Sequence, residues 1–221
     1  MDMLIIIASL VITLGAQAYI NSMYSKTKKI ELSIGMTGHD IARRILNQNG
    51  LNDVQILESG GILSDHYNPK NKTLNLSPEV FCKASIAAAS VAAHECGHAI
   101  QDKDGYFFLK FRNFIVPFVN IASYLGYISI VIGIFTSVLD LIWLGIIMEF
   151  FILFFQLITL PVEFDASNRA IENLVNLNIV SSEEKVYSKK MLFAAALTYV
   201  ASVAAAVLQI ARLLLMIRRN D

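Results

Sequence analysis

The sequence lacks an excess of charge of either sign. Its 18 lysines and arginines balance 18 aspartates and glutamates, and only 16% of its residues are charged. A nucleic-acid-binding domain usually carries a basic face and a pI above about 9, whereas the pI of this chain is about 6.9. The composition therefore gives no reason to expect a nucleic-acid partner.

Cysteine is also scarce, with only Cys82 and Cys96 in 221 residues. Both fall on a segment that the sequence predicts to be one helix, where they would lie about 20 Å apart. A disulfide needs Cα atoms within about 7 Å of each other. A disulfide framework is therefore excluded, which suits a reducing compartment.

Apolar residues, in contrast, are more abundant than a soluble core of this size requires. Hydrophobic residues make up 55% of the chain, and the mean hydropathy is +0.55. They form long blocks, and a helix that spans a bilayer needs about 20 consecutive apolar residues. The sequence thus predicts a multi-pass helical membrane protein in contact with the lipid bilayer. The predicted transmembrane helices are residues 3–20, 114–138, 141–160 and 191–217.

The placement of basic residues predicts an orientation in the membrane. Lys26, Lys28 and Lys29 follow the first apolar stretch, which favours an uncleaved anchor over a cleavable signal peptide. Of the 18 lysines and arginines, 15 lie in the polar segments 21–113 and 161–190. Because cytoplasmic loops are enriched in basic residues, we expect both segments on the cytoplasmic face of a cell membrane.

Local patterns predict a mainly α fold with a small β-hairpin or sheet. Capping and turn residues mark the boundaries of the elements in segment 21–113. The predicted elements are a helix capped by Thr37 and ending at Gly50, a strand at 54–57, hairpin strands at 62–67 and 73–76, and a helix from Pro78 to Gln101.

The last of these helices carries the sequence His-Glu-Cys-Gly-His at residues 94–98. Positions i and i+4 share one face of a helix, so the imidazoles of His94 and His98 can bind one Zn²⁺ ion. Glu95 lies beside this pair, where it can accept a proton from zinc-activated water. The neighbouring residues are uncharged, as a buried ligand helix requires. His94 and His98 are therefore predicted as metal ligands, and Glu95 as the catalytic base.

A hydrolytic zinc site needs a third protein ligand and an open position for water. Glu163 is the favoured third ligand, because it follows Pro161 at a predicted helix start. The small residues Ala166, Ser167 and Ala170 on its face would allow a close approach to the ligand helix. The alternatives are Asp165, on the opposite side of that helix, and His66. His39 is a further candidate in the same polar segment as His66.

Three separated motifs resemble one family. The His-Glu-Cys-Gly-His helix, Ser-Asp-His-Tyr-Asn-Pro at 64–69 and Leu-Pro-Val-Glu-Phe-Asp-Ala-Ser at 160–167 are similar to the YugP-like neutral zinc metallopeptidases of bacterial membranes. More distantly, the chain resembles the HtpX and CAAX prenyl protease group, which has a Glu-x-x-x-Asp pattern on a later helix. These resemblances imply a minimal zincin-like catalytic domain in a bacterial cell membrane. Its two halves are segments 21–113 and 161–190, with His94, His98 and Glu163 as ligands and Glu95 as base.

The chain departs from the distant group at one position. Ser167 stands where that group has aspartate, so Asp102 or Asp165 is an alternative residue for orienting a ligand imidazole. For stabilising the oxyanion, the sequence does not choose among His66, Tyr67, Arg169 and Tyr199.

The sequence therefore predicts a membrane-embedded zinc metalloendopeptidase that cleaves peptide or membrane-protein substrates. One alternative is an intramembrane protease of the site-2 type, but the apolar segment between Lys83 and His94 is too short to span a bilayer. The other is a zinc-binding scaffold or chaperone without catalysis. Glu95 argues against that alternative, because a structural site has no need of a base.

Overall fold

The computed structural model describes residues 2–61 and 64–218 and confirms a mainly α-helical chain with a small sheet. Two residues of the predicted strand 62–67, Ile62 and Leu63, lie outside the described residues. The helices are α1 (Asp2–Thr27), α2 (Gly38–Gln48), α3 (Pro78–Cys82), α4 (Ile86–Lys103), α5 (Phe107–Thr136), α6 (Leu139–Asn176) and α7 (Ser182–Arg218). The strands are β1 (Gln55–Glu58), β2 (His66–Asn68) and β3 (Thr73–Leu76).

Four of the described helices, α1, α5, α6 and α7, are long and apolar enough to cross a membrane. Each of the four apolar stretches found in the sequence lies on one of them, although the second stretch runs two residues past the end of α5. All four helices extend beyond their apolar stretch at one end or both, and α6 and α7 extend the furthest. As a result, α6 and α7 each carry an apolar part and a more polar part on one continuous helix.

The chain divides into two compact units, which are described separately. The first, here called the apolar unit, comprises the described parts of Met1–Gln17, Lys110–Pro161 and Leu197–Asp221. Within it, α5 and α6 pack closely through glycines. A Cβ atom on Gly133 would lie 2.7 Å from Cγ1 of Ile142, and one on Gly126 would lie 2.8 Å from Cβ of Met148. Only residues without a side chain allow this contact.

The second unit, here called the sheet unit, comprises Ala18–Leu109 and Val162–Ala196. Its sheet has the strand order β1-β3-β2, with β1 parallel and β2 antiparallel to β3. The hairpin register pairs His66 with Asn75 and Asn68 with Thr73. A hairpin is therefore confirmed, but its first strand differs from the predicted 62–67. Of the described residues 64–67 only His66 and Tyr67 lie in β2, which extends to Asn68 and forms an edge of the sheet.

The helix predicted after Thr37 is confirmed as α2. Thr37 Oγ1 accepts a hydrogen bond from the Asp40 N–H, and the Asp40 carboxylate accepts one from the Thr37 N–H, which completes a capping box. The hydrogen bonds from Thr37 hold the pKa of Asp40 below its usual value. Ile41 and Ile45 of this helix are fully buried in the core of the sheet unit, together with Leu74 and Leu174.

The single helix predicted from Pro78 to Gln101 is wrong. The chain leaves the helical conformation after Cys82 and starts α4 at Ile86. In between, the Ala84 carbonyl accepts from the Leu32 N–H at 3.0 Å, and the Ile86 N–H donates to the Ile30 carbonyl at 3.0 Å. This pairing holds residues 83–85 extended, and a second serine, Ser85, caps α4. Both cysteines are nevertheless free, as predicted.

The helix start predicted at Pro161 is also wrong. Helix α6 continues through this proline from Leu139 to Asn176. A proline inside a helix removes one backbone hydrogen bond, but apolar helices tolerate it when neighbouring groups satisfy the freed carbonyl. Glu163 is therefore an interior residue of a 38-residue helix and has no helix-terminus role.

Candidate metal centre

Helix α4 brings the histidines of the sequence motif onto one face. Its start is fixed by Ser85, whose Oγ accepts a hydrogen bond from the Ala88 N–H at 3.2 Å. Small apolar residues then bury the helix on several sides, and Ala92, Ala93 and Ala99 are fully buried. Burial by alanine allows neighbouring elements to come close without steric conflict. The side chains of His94 and His98 are thus held on a helix whose buried face consists mostly of small apolar residues.

The structure brings His94, His98 and Glu163 together. Oε2 of Glu163 lies 3.3 Å from Nε2 of His94 and 3.8 Å from Nε2 of His98. One possible ligand atom from each residue lies within 4.8 Å of the other two. All three side chains are largely buried, with 16%, 13% and 5% of their surface exposed. This cluster is the group that sequence spacing and family resemblance had predicted as metal ligands.

The close approach of α4 and α6 depends on Gly97. A Cβ atom at this position would lie 2.5 Å from the carbonyl oxygen of Ala166, which is too close for any real side chain. Ala166 and Ala170 of α6 are fully buried. The predicted role of these small residues in allowing the helices to approach is therefore consistent with the packing. The sequence analysis did not single out Gly97. The available signal was the presence, inside the motif, of a residue without a side chain.

Glu95 lies on α4 beside His94 and is also buried, with 8% of its surface exposed. Its Oε2 accepts a hydrogen bond from the Tyr67 N–H of strand β2 at 3.1 Å. Burial raises the pKa of Glu95 to about 7; the nearby His94 and the Tyr67 hydrogen bond oppose the rise, and the Glu163 charge adds to it. A carboxylate with such a pKa is suited to exchanging a proton near neutral pH.

Two polar side chains stand next to the outer nitrogens of the imidazoles. Ser167 Oγ lies 3.3 Å from Nδ1 of His94, and Gln101 Oε1 lies 3.0 Å from Nδ1 of His98. The sequence pointed to Asp102 or Asp165 for this position. Asp102 accepts a hydrogen bond from the Tyr67 hydroxyl at 3.0 Å, while Asp165 accepts from the Gln101 amide at 2.8 Å. Asp165 is thus linked to His98 through Gln101.

The other candidates from the sequence lie in different surroundings. His66 is exposed, and its Nδ1 lies 2.8 Å from the Ser64 carbonyl in the hairpin. Nδ1 of His39 lies 3.5 Å from the carboxylate of its neighbour Asp40, and the His39 ring contacts the ring of Phe81 at an angle of 45°. Among the described residues, the group of possible metal-binding side chains contains neither histidine. Of the possible oxyanion-stabilising residues, Arg169 is paired with Asp165 and Asp104.

Together, the fold and the site define a class. The chain is a mainly α-helical membrane protein, and a buried group of two histidines and a glutamate beside a second glutamate forms a candidate metal centre. This arrangement is the one expected for a zinc-dependent hydrolase.

Comparison with known proteins then gives the family. Residues 2–218 match the family described as "Putative neutral zinc metallopeptidase". A relative from Bacillus subtilis (strain 168), named "Putative membrane protease YugP", is 43% identical over 206 residues, which cover 93% of this chain and 92% of the relative. No solved structure matches the chain. The chain belongs to this family, as its motifs indicated.

Proposed function

We propose that this chain is a membrane-embedded, zinc-dependent endopeptidase. In this proposal His94, His98 and Glu163 hold the metal, and Glu95 is the general base. The observation that carries the proposal is the convergence of three buried ligand atoms within 4.8 Å of one another. The family description supports zinc and peptidase chemistry, and the assignment of each role to a residue is our inference from the geometry.

The three side chains fit a zinc ion in both chemistry and spacing. Two imidazole nitrogens and one carboxylate oxygen form a donor set used by catalytic zinc, which keeps a fourth position open for water. Ligand atoms of a tetrahedral zinc ion with bonds of about 2.1 Å lie about 3.4 Å apart. The separations of 3.3 and 3.8 Å between Glu163 and the two imidazoles are close to this value.

A zinc ion held by these residues would supply Lewis-acid activation of water and of the scissile carbonyl. The chain's own contribution is the transfer of protons by Glu95. Its carboxylate accepts a proton from the attacking water and delivers it to the nitrogen of the leaving amine. The Tyr67 N–H, which donates to Oε2 of Glu95, restricts the carboxylate to an orientation beside His94.

The substrate in this proposal is an extended peptide or a segment of a membrane protein. Strand β2 forms one edge of the sheet, and the N–H of its central residue, Tyr67, points to Glu95. An extended peptide that adds to such an edge is held by backbone hydrogen bonds, largely independently of its sequence. A peptide bound there would therefore run past the proposed base.

The proposed location is the cytoplasmic face of a bacterial cell membrane, in a multi-pass protein. It is supported by four helices apolar enough to cross a bilayer and by a relative named as a membrane protease. The orientation follows from the positive-inside rule, because 15 of the 18 basic residues lie in the two polar segments.

Exchange of Glu95 for glutamine tests the function. Glu95→Gln keeps the size of the side chain but removes its basicity, so we expect zinc content to stay at the wild-type level. Cleavage of casein or membrane-protein substrates should fall by about 10² to 10⁴-fold. The matched control is Glu172→Gln, an exposed carboxylate on α6, which should leave both quantities unchanged.

Two results would contradict the proposal. A wild-type protein that binds zinc but cleaves nothing would support the non-catalytic scaffold instead. Cleavage that persists in Glu95→Gln at the wild-type rate would remove Glu95 from the mechanism. A comparison of the membrane proteomes of cells that carry the active and the Glu95→Gln forms would then identify the substrates.

A further inference from the structure

The contact of His98 with Gln101 is more specific than a packing contact. Gln101 lies three residues after His98 on α4 and is fully buried. Its Oε1 is 3.0 Å from Nδ1 of His98, on the side of the ring away from Glu163. A buried glutamine normally has hydrogen-bond partners for its amide, so the partners of Nε2 show how the amide of Gln101 is oriented.

The partners of the Gln101 nitrogen determine how the amide is turned. Nε2 lies 2.8 Å from the carbonyl oxygen of Val162 and 2.8 Å from Oδ2 of Asp165. A carbonyl and a carboxylate only accept hydrogen bonds, so the group that faces them must be the NH₂ donor. The amide oxygen must then face His98.

This orientation in turn assigns the proton on His98. An amide oxygen only accepts hydrogen bonds, so Nδ1 of His98 must carry the hydrogen and donate it to Oε1 of Gln101. A neutral imidazole with its proton on Nδ1 has a lone pair on Nε2. That nitrogen is the one that lies 3.8 Å from Oε2 of Glu163. The proposed metal-binding nitrogen of His98 is therefore in the form that binds a cation.

Arg169 holds the far end of this chain of contacts. Its Nε donates to Oδ2 of Asp165 at 2.6 Å, so this oxygen accepts from both Gln101 and Arg169. A second guanidinium nitrogen, Nη1, donates to Asp104 at the end of α4, also at 2.6 Å. Arg169 thus links the Asp165 carboxylate, which contacts Gln101, to Asp104 at the end of α4.

We propose that Gln101 is a positioning residue that sets the tautomer and the ring orientation of His98, with the Asp165–Arg169 pair holding its amide. This inference rests on the proposed function, because it assumes that His98 binds a metal. Hydrogen bonds to the outer nitrogen of a metal-binding histidine fix its orientation and raise its basicity, and their loss typically weakens metal binding by about 10 to 100-fold.

Two substitutions separate positioning from simple structural support. Gln101→Met has nearly the same volume but makes none of the three hydrogen bonds. Gln101→Glu keeps an oxygen acceptor for His98 but has no donor for Val162 or Asp165. The experiment measures the zinc dissociation constant of the full-length protein by chelator competition, and the unfolding temperature of each variant. The control is Asp102→Asn, the next residue on α4, which contacts Tyr67.

We expect Gln101→Met to raise the zinc dissociation constant by about 10 to 100-fold, and Asp102→Asn to leave it unchanged. Gln101→Glu should lower the unfolding temperature at least as much as the methionine variant, because its carboxylate faces Asp165, yet it should lose less zinc affinity. Wild-type affinity in the methionine variant would overturn the inference. So would equal losses of affinity in the two variants, since these would indicate structural support alone.

A measurement on the unsubstituted protein keeps the inference testable if the variants do not fold. The chain contains only four histidines, so ¹⁵N nuclear magnetic resonance of the zinc-loaded protein can resolve their ring nitrogens. A proton on Nδ1 of His98 with the metal on Nε2 is the expected result, and metal on Nδ1 would overturn the inference. A wild-type protein that binds no zinc would instead refute the proposed function.

Discussion

Helix α6 contributes to both units, and its two parts solve different packing problems. In the apolar unit, the part up to Pro161 packs against α5, and its contacts involve glycines and aliphatic side chains such as Ile142 and Met148. In the sheet unit, the part from Val162 onwards packs against Gly97 of α4 and carries polar residues into the contact.

The difference shows what a buried charge requires. A carboxylate that is removed from water is costly unless it is paired or bound to a metal. In the sheet unit, buried Glu163 faces two imidazoles, and Asp165 receives hydrogen bonds from Gln101 and Arg169. Close helix packing is therefore common to both units. The sheet unit also has polar groups that pair with one another, and they lie where we propose the metal.

The largest difference between the two parts of α6 should come from their carboxylates. Glu163→Gln removes a proposed zinc ligand, whereas Glu149→Gln removes a carboxylate from the apolar unit. Loss of a group that only supports a ligand costs about 10 to 100-fold in metal affinity, so loss of the ligand itself should cost more than about 100-fold. The measurement is zinc affinity by chelator competition in detergent-solubilised protein.

Glu149→Gln is the matched control, because it makes the same chemical change on the same helix. Its zinc affinity should equal that of the wild type. If both variants bound zinc equally well, the proposed ligand set would be wrong. The two parts of α6 would then not differ in zinc binding.

A smaller effect is expected from adding one methyl group to a glycine in each unit. In Gly97→Ala the new Cβ would lie 2.5 Å from the backbone oxygen of Ala166 and 3.1 Å from its Cα. Backbone atoms cannot rotate away, so the two elements must separate. Overpacking of this kind costs about 1 to 3 kcal/mol in unfolding free energy. It should also lower zinc affinity, because Glu163 lies only one turn from Ala166.

Gly145→Ala is the corresponding change in the apolar unit. Its Cβ would overlap Cγ1 of the buried Ile130 side chain and lie 3.1 Å from the backbone oxygen of Gly126, so α5 and α6 would have to separate there, away from the proposed ligands. We expect a lower unfolding temperature with unchanged zinc affinity. Loss of zinc in Gly145→Ala, or full retention in Gly97→Ala, would show that the two contacts do not differ in the way that the packing indicates.

The sequence predicted which side chains converge better than it predicted the helix boundaries. The positions of His94, Glu95 and His98 follow from the helical period alone, and Glu163 followed from small neighbours and from family resemblance. Thr37 was recognised as a cap because its partner Asp40 is local in sequence. Features that depend on nearby residues are accessible to sequence reasoning.

Two of the three errors involve contacts between residues distant in sequence. Ser77 followed by Pro78 is a strong helix start, but nothing local indicates that the chain pairs with residues 30–32 and begins a second helix after Ser85. Pro161 resembled a start because a proline usually ends or begins a helix in soluble proteins. Gln101 was missed because a buried glutamine has no local signature, and its partners lie more than 60 residues away.

The smallest effect is expected for the support of His94. Ser167 Oγ lies 3.3 Å from Nδ1 of His94, beyond the usual 2.7 to 3.2 Å of a good hydrogen bond (about 3.0 Å is most common). It also has a single rotatable hydroxyl, whereas Gln101 is held by two further partners. Ser167→Ala should therefore raise the zinc dissociation constant by about tenfold or less, clearly less than Gln101→Met.

Ser167→Asp introduces the residue of the more distant protease group and should strengthen zinc binding through a charged acceptor. If Ser167→Ala raised the zinc dissociation constant as much as Gln101→Met, the two imidazoles would be supported equally. The distance of a supporting contact, and the further hydrogen bonds of the side chain that makes it, would then not predict how strongly it affects zinc binding.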